Sequence, residues 1–358
     1  MEIMDNHKEI AAEATKLSGV GVSDVGCVRS NNEDNMVLRR LWTDNYMLAV
    51  AIDGVGGQEG GEVAAAIAAQ SIPTFLDTYK NGEPLELLCQ AVQQANNDIF
   101  EQRAKEPKLS YMSCVLTAAI IDSRRSKVFM AHVGDTRLYL FADGVLKKLS
   151  HDHSLVGYRE EVGDLTEEEA MHHPQRNIIS RDVGSEYQET TEFVESATFQ
   201  LTGRSVLMFC SDGLCDMITS AQMTAILSKG KDLKKCCCNL VDAAKNAGGR
   251  DNVTVLLVEH TSDIPSEPKK EQEEVTAIEA HQEEDKVAEI DEDEADKEKE
   301  ASEPVKKNGS RRRRIRILPI LLLLVIVAVA CFFIGRCSKS ADSGNGNDTT
   351  ATEAVSTK

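Results

Sequence analysis

The sequence predicts an α+β fold of antiparallel sheets and helices, followed by an acidic linker and one C-terminal membrane span. Three observations carry this reading. Between about Ser18 and His260, short apolar runs alternate with turn chemistry, as in a folded domain. Two long helical segments fall together, and the later strands come in hairpins, unlike a doubly wound parallel sheet. Past position 260 the composition changes twice, first to Glu, Asp and Lys and then to an uncharged apolar run.

Residues 1–17 are polar and contain no apolar signal-peptide core, so no export signal is expected. Within 18–260, period-two patterning predicts strands at Val20–Cys27, Tyr46–Ile52, Val115–Ile121, Val128–Val133, Arg137–Phe141, Val145–Leu149, Ser205–Cys210 and Val253–Glu259. Helical spacing and start signals predict helices at Gly60–Tyr79, Pro84–Lys105, Ser154–Glu161, Thr166–Ala170, Ser220–Ser228 and Leu233–Ala247. The segment 261–310 has no aromatics, and Ser262–Val305 holds 18 Asp or Glu against 5 Lys. Such a composition predicts a disordered linker, because little apolar surface is available to offset ordering entropy. A basic stretch, 311–316, precedes Ile317–Ile334, which carries no charge over 18 residues. At 1.5 Å per residue that run spans about 27 Å, enough for a hydrocarbon core. After such a linker the run has nothing to pack on, so a membrane helix at 317–335 is preferred to a buried core helix. Most of the flanking Arg and Lys lie before it, which orients the folded domain to the cytoplasm and the tail, 336–358, to the far side of the cell (inner) membrane. Read alone the four arginines resemble a nuclear signal, but beside the apolar run that reading is weak.

The formal net charge of −19 resides mostly in the linker. The remainder is mildly acidic, which argues against nucleic acid as a partner. Ten cysteines form neither a CxxC pair nor a Cys/His zinc pattern, so a reduced compartment with mostly buried thiols is expected.

Asp-Gly occurs three times, in different settings. In "RLYLFADGVLKKLS", alternating strands flank Asp143-Gly144, the signature of a plain hairpin turn. In "MLAVAIDGVGG" and "VLMFCSDGLCDMIT" an apolar strand instead delivers Asp53 or Asp212 to its C-terminal end. Each alone is more often a turn or helix cap; together they favour a shared site. Two further stretches strengthen it. "NAGGRDNVTVLLVE" places Asp251-Asn252 at a strand start, and in "VFMAHVGDTRLYL" Gly134-Asp135 interrupts a strand pair at local cost. Four carboxylates without thiolate or imidazole partners suit hard cations such as Mg²⁺ or Mn²⁺. A nucleotide cradle fails on spacing: after Gly54 and Gly56 the third glycine of GxGxxG would fall on Glu59, and no Gly-Lys-Ser/Thr follows. In "GCVRSNNEDNMVL", Arg29 precedes Glu33 and Asp34. It could pair with a carboxylate or grip a phosphoryl group with its planar fork.

With these residues aligned, the chain resembles the metal-dependent Ser/Thr protein phosphatases of type 2C. The likeness runs from about Ser18 to His260 through "VRSNNEDN", "AIDGVGG", "AHVGDTRLYL", "KLSHDHSLV", "HHPQRNIISRDVGS", "FCSDGLCD" and "GGRDNVTVLLVE", in family order. It implies a four-layer α-β-β-α sandwich with the metal site at one edge between the sheets. It further implies Asp53 as the carboxylate bridging two Mn²⁺ or Mg²⁺ ions, the Gly54 carbonyl as a ligand of one, and Asp212 and Asp251 as ligands of the other. Asp135, with Asp212, resembles the ligands of a third, weaker ion. Arg29 resembles the phosphate-binding arginine, Glu33 and Asp34 the pair that orients water, and Asn252 a support for Asp251. The segment Ser154–Gly184 resembles the mobile flap. Water activated by two ions would attack phosphorus directly, without a phosphoenzyme. The implied partners are proteins phosphorylated on Ser or Thr and a cognate Ser/Thr kinase that the enzyme opposes.

There are departures from the family pattern. Some members carry a histidine after the Asp-Gly, where this chain has Val55; the acid for the leaving alcohol is then unassigned, with a metal-bound water the preferred choice. The usual Met-Gly-Thr-Thr is Met112-Ser113-Cys114-Val115, a change expected to alter packing rather than chemistry. Adjacent His172 and His173 cannot both face one site from a helix and read as flap or surface packing. A pseudophosphatase that binds phosphoproteins at the membrane without hydrolysing them is the alternative, and the intact carboxylate set disfavours it.

Overall fold

The computed structural model describes residues 7–10, 17–56 and 60–261. Eleven strands form two antiparallel sheets. The first contains β1 (His7–Ile10), β2 (Leu17–Asp24), β7 (Arg137–Ala142), β8 (Val145–Lys148), β10 (Arg204–Cys210) and β11 (Val253–Thr261), in the order β1-β2-β11-β10-β7-β8. The second contains β3 (Asn35–Leu41), β4 (Thr43–Val55), β5 (Ser113–Asp122), β6 (Lys127–Val133) and β9 (Glu195–Gln200), in the order β3-β4-β5-β6-β9. Helices α1 (Gly60–Thr78) and α2 (Pro84–Lys105) cover the second sheet, whereas α5 (Asp212–Cys215), α6 (Ser220–Lys229) and α7 (Leu233–Asn246) cover the first. Between β8 and β9 lie the short helices α3 (Leu155–Glu161) and α4 (Glu167–Met171).

Three apolar clusters mark the three interfaces of this four-layer sandwich, and strand parity assigns residues to them. Along β4, Leu48, Val50 and Ile52 pack towards α1 and α2, while Met47, Ala49 and Ala51 face the layer between the sheets. Along β10, Val206, Met208 and Cys210 face the helices, and Leu207 and Phe209 face the intersheet layer. Helix α1 presents Ala64, Ala65, Ala68, Ile72 and Leu76 at helical spacing, and these small residues bring it close to the sheet.

The intersheet layer changes character along its length. At one end it is apolar: Leu17, Met36, Leu38, Met47, Leu256 and Val258. Continuing each strand on the same parity leads at the other end to Asp34, Asp53, Thr117, His132, Ser211 and Thr254. The polar end of this layer is where the site forms.

All eight expected strands and all six expected helices are present, with boundaries shifted by a few residues. The Asp143-Gly144 turn is the hairpin its flanks predict, with Ala142 opposite Val145 and both turn residues at positive φ. Strands β1, β3 and β9 were not anticipated. β1 pairs with β2 and extends the first sheet upstream of the expected domain start at position 18. Eight cysteines are described; all are free, and six of them are buried. Among the described residues no helix is long and apolar enough to cross a membrane. From position 262 on, the linker, basic stretch, apolar span and tail lie outside the described residues.

Candidate functional site

The chain crosses between sheets, or turns at a sheet edge, at each predicted carboxylate. β4 ends at Asp53-Gly54-Val55, paired with Val115, Cys114 and Ser113 at the start of β5. Asp135 lies where the chain leaves β6 of the second sheet for β7 of the first. Because β10 and β11 are antiparallel and Cys210 lies opposite Val255, Asp212 and Asp251 come to the same end. Asp34 directly precedes β3 at that end. The sequence-predicted residues therefore converge.

Glycine makes the convergence possible at two places. A Cβ on Gly54 would lie 2.3 Å from the Gly61 carbonyl oxygen and 2.6 Å from that of Glu33. A Cβ on Gly213 would lie 1.9 Å from the carbonyl oxygen of Asn252. Any side chain at either position would push these segments apart. The need for glycine at 54 thus comes from backbone packing, in addition to any exposure of its own carbonyl.

The electrostatics are those of an uncompensated anionic pit. Asp34, Asp53, Asp135 and Asp212 are each half-buried. Burial pushes the Asp53 carboxyl well above the ordinary range, and the charges of Asp34, Asp212, Asp135 and Asp251 push it further. Asp212 is raised in the same way, by burial and then by Asp216, Asp135 and Asp251. Asp34 is pushed up to about 7 by burial, although the hydroxyls of Thr254 and Ser211 oppose the shift. Asp135 also reaches about 7, through burial and the charges of Asp152 and Asp216. Glu33 is raised by burial against the pull of Arg29. Carboxylates crowded this way stay ionised only when a cation joins them. The donors are all oxygen, which fits a hard divalent ion. The residues that could hold such ions are Asp53, Asp212, Asp251 and Asp135, with the Gly54 carbonyl.

Arg29 extends from the loop after β2, and its Nη2 donates to Asp251 Oδ2 at 2.7 Å. Of the two readings open from sequence, the carboxylate pair is therefore made. Nearly half of the Arg29 side chain remains exposed beside the pit. Asn252 has more partners than sequence indicated. Its backbone NH donates to Asp251 Oδ1 at 2.8 Å, as befits a support for Asp251. Its side chain also ties down the loop that carries Arg29 and Glu33. Oδ1 accepts from Glu33 NH at 2.8 Å, and Nδ2 donates to the carbonyls of Val25 and Asn31 at 3.0 and 2.9 Å.

Two positioning residues escaped the sequence reading. Ser211 Oγ donates to Asp34 Oδ2 at 2.7 Å and accepts from Thr254 NH at 3.0 Å. Asp216 anchors the 154–184 segment by accepting from Arg176 Nε at 2.7 Å. The parity of Leu207 and Phe209 was the available signal for Ser211. The same segment is held again at Cys114 and Val183, which exchange backbone bonds of 3.0 and 2.8 Å. Cys114 and Ser113 are buried and pair with Gly54 and Val55 on the neighbouring strand, consistent with a role in packing. His172 and His173 bond only to local backbone in α4 and the turn after it, away from the carboxylates.

The comparisons agree with this geometry. The family model described as Protein phosphatase 2C matches residues 28–234. The serine/threonine phosphatase stp of Listeria monocytogenes is 36% identical over 245 residues, covering 66% of this chain and 93% of that protein. The solved Mycobacterium tuberculosis serine/threonine phosphatase PstP/Ppp is 31% identical with a TM-score of 0.60, covering 68% of this chain and 99% of that one. A second structure, the catalytic domain of PstP in complex with two manganese ions, is 29% identical with a TM-score of 0.59, covering 69% and 99%. With the family model, the relatives and the two-sheet sandwich in accord, the chain belongs to the protein phosphatase 2C family.

Proposed function

We propose that this chain hydrolyses phosphoserine and phosphothreonine in proteins with the help of two divalent cations, Mn²⁺ or Mg²⁺. The observation that carries the reading is the gathering of Asp34, Asp53, Asp212 and Asp251 at the polar end of the intersheet layer. The structure with two manganese ions in a relative of the same fold supports it. Asp53, the Gly54 carbonyl, Asp212 and Asp251 would hold the pair, and Asp135 with Asp212 a weaker third. Bound there, the ions supply the charge that activates water and neutralises the phosphoryl group.

The chain's own residues do the rest. Asp34, fixed by Ser211 and placed beside Asp53, is set to accept a proton from attacking water. Glu33 is held by Asn252 at the same rim and orients that water. Arg29 lies at the solvent side, where exchange of Asp251 for a phosphoryl oxygen pair gives bidentate binding. No observation favours phosphoprotein binding without hydrolysis. The decisive assay uses the full chain in detergent with a phosphothreonine peptide. Phosphate release with Mn²⁺, its loss in chelator and its loss in Asp212→Asn are expected. Peptide binding without release in excess Mn²⁺ would overturn the reading.

We further propose that the apolar run 317–335 anchors the protein in the cell membrane, with the phosphatase domain on the cytoplasmic side opposing a Ser/Thr kinase. The acidic linker, about 50 residues long, has an r.m.s. reach of roughly 40 Å as a flexible tether. Membrane fractionation and protease protection of the tail test this. A domain recovered in the soluble fraction would refute the anchor.

A further inference from the structure

Behind Asp135 lies a cluster that resembles a metal site at first sight. Ligand atoms of His132, His153 and Glu195 all lie within 4.8 Å of one another. The hydrogen bonds point to another role. Gly134 NH donates to His153 Nδ1 at 3.0 Å, so Nδ1 is an acceptor and the proton sits on Nε2, facing Glu195 Oε2 at 3.3 Å. A metal on Nε2 would require Nδ1 to carry the proton instead, usually donated to a carbonyl or carboxylate. His132 Nε2 likewise faces only an acceptor, the His151 carbonyl at 3.0 Å, and must carry its own proton. Both imidazoles are committed as hydrogen-bonding groups.

Followed outward, these bonds enclose one peptide segment. His153 grips Gly134 twice, through Nδ1 and through its own backbone NH, which donates to the Gly134 carbonyl at 2.7 Å. Gly134 sits at φ +108°, and a Cβ there would lie 2.2 Å from Val115, so the residue has little room to move. On the far side of Asp135, Thr136 Oγ1 lies 2.7 Å from Thr117 Oγ1, which lies 2.8 Å from His132 Nδ1. Since that nitrogen is bare, the Thr117 hydroxyl proton is shared between it and the Thr136 carbonyl, 3.0 Å away, and Thr136 Oγ1 donates to Thr117. The two arms meet at the other end. His132 and His153 pack with ring centroids 4.9 Å apart and planes tilted by 39°, and Glu195 accepts from His151 Nδ1 at 2.9 Å as well as from His153. Asp135 is thus the one residue between two tethered neighbours, held against the repulsion of Asp152 and Asp216.

We propose that the belt Thr117–His132–His151–Glu195–His153 is a positioning device that fixes Asp135 for cation binding by clamping Gly134 and Thr136. It rests on the reading of Asp135 as ligand of the weaker third ion. The belt residues act through Gly134 and Thr136, the two neighbours of Asp135.

Equilibrium dialysis of Mn²⁺ with the full chain in detergent tests it, with circular dichroism confirming the fold. Asp135→Asn is the reference, and it should remove the weakest class of bound Mn²⁺. Thr117→Val keeps shape and deletes the hydroxyl. His153→Ala deletes both imidazole contacts. His153→Asn places an amide oxygen where Nδ1 accepted. Thr117→Val and His153→Ala should weaken that same class by about 10- to 100-fold and leave the tighter sites unchanged. His153→Asn should recover part of the loss. If Asp135→Asn removes the weak class while folded Thr117→Val and His153→Ala bind like the parent, the belt only supports the fold and the proposal fails. If Asp135→Asn leaves the stoichiometry unchanged, the reading of Asp135 fails instead and takes the proposal with it.

Discussion

Two groups of carboxylates share one edge of this domain and have opposite electrostatics. In the pit, Asp34, Asp53, Asp135 and Asp212 are all pushed upward by burial and by the charges of nearby carboxylates. In the clasp just outside it, burial works upward on Asp152 too, yet Arg137 and Lys148 outweigh it and hold that carboxyl below its ordinary range. Arg137 bonds Asp152 at 2.6 and 2.9 Å and reaches Glu160 at 2.9 Å. Glu195 is likewise held down to about 2, its burial outweighed by hydrogen bonds from His153 and His151. The clasp has its cations built into the chain. The pit lacks them, and that lack is what selects a soluble divalent ion. Removing a charge should therefore have opposite consequences in the two regions.

The largest effect is expected at the centre of the pit. Asp53→Asn should lower phosphate release by about a thousandfold or more, since every cation interaction converges there. In chelator the same change should raise the urea midpoint, because it removes a buried carboxyl crowded by four neighbouring aspartates. A variant both inactive and less stable without cation would break the contrast. In the clasp, Arg137→Met should lower stability by about 3 kcal/mol, because buried Asp152 would keep only Lys148 and half-buried Glu160 would lose its Arg137 contact. Adding Asp152→Leu to it should restore part of the loss. An equal loss in the double variant would mean that Arg137 acts through packing alone.

How far the sequence revealed these regions depended on where each residue finds its partners. β4, β5 and β10 were legible because they are interior strands with nearly continuous apolar runs. The three unanticipated strands are all sheet edges. In β3 the apolar run is only Met36–Leu38 before Arg39 and Arg40 interrupt it, and β9 alternates partly and fully exposed residues, so neither presents a long apolar run. Asp53 and Asp212 stood out because a carboxylate ends each apolar strand. Ser211, one residue away, did not, because its partner Asp34 lies 177 positions earlier. Nor did the grip of Asn252 on Asn31, 221 positions away. His153, inside "KLSHDHSLV", carries no local signal of its role. Its double hold on Gly134 exists because β6 and β7 belong to different sheets and the loop after β8 returns to their junction.

A pH series separates the two regions more finely. In chelator, Asp34 and Asp135 keep their protons up to about 7 in the folded protein but release them near 3.8 when unfolded. The folded state then binds more protons than the unfolded one, so stability should fall as pH rises from about 4 to 7. Saturating Mn²⁺ should flatten or reverse that slope. A slope that is unchanged by Mn²⁺ would place its source outside the pit.

The smallest expected effect lies on the acid side and belongs to the clasp. Glu195 titrates near 4.5 when unfolded and about 2 when folded, so the unfolded state binds more protons between those values. Its contribution is complete above about 4.5 and is lost as pH falls towards 2. Because Glu195 and especially His151 are partly open to solvent, the contribution is worth about 1 kcal/mol. Glu195→Gln should remove that acid-limb loss, with or without Mn²⁺, while the neutral slope remains. If the substitution changed the neutral slope instead, Glu195 would be coupled to the pit carboxylates electrostatically, and the division between a self-compensated clasp and a cation-seeking pit would have to be drawn further out.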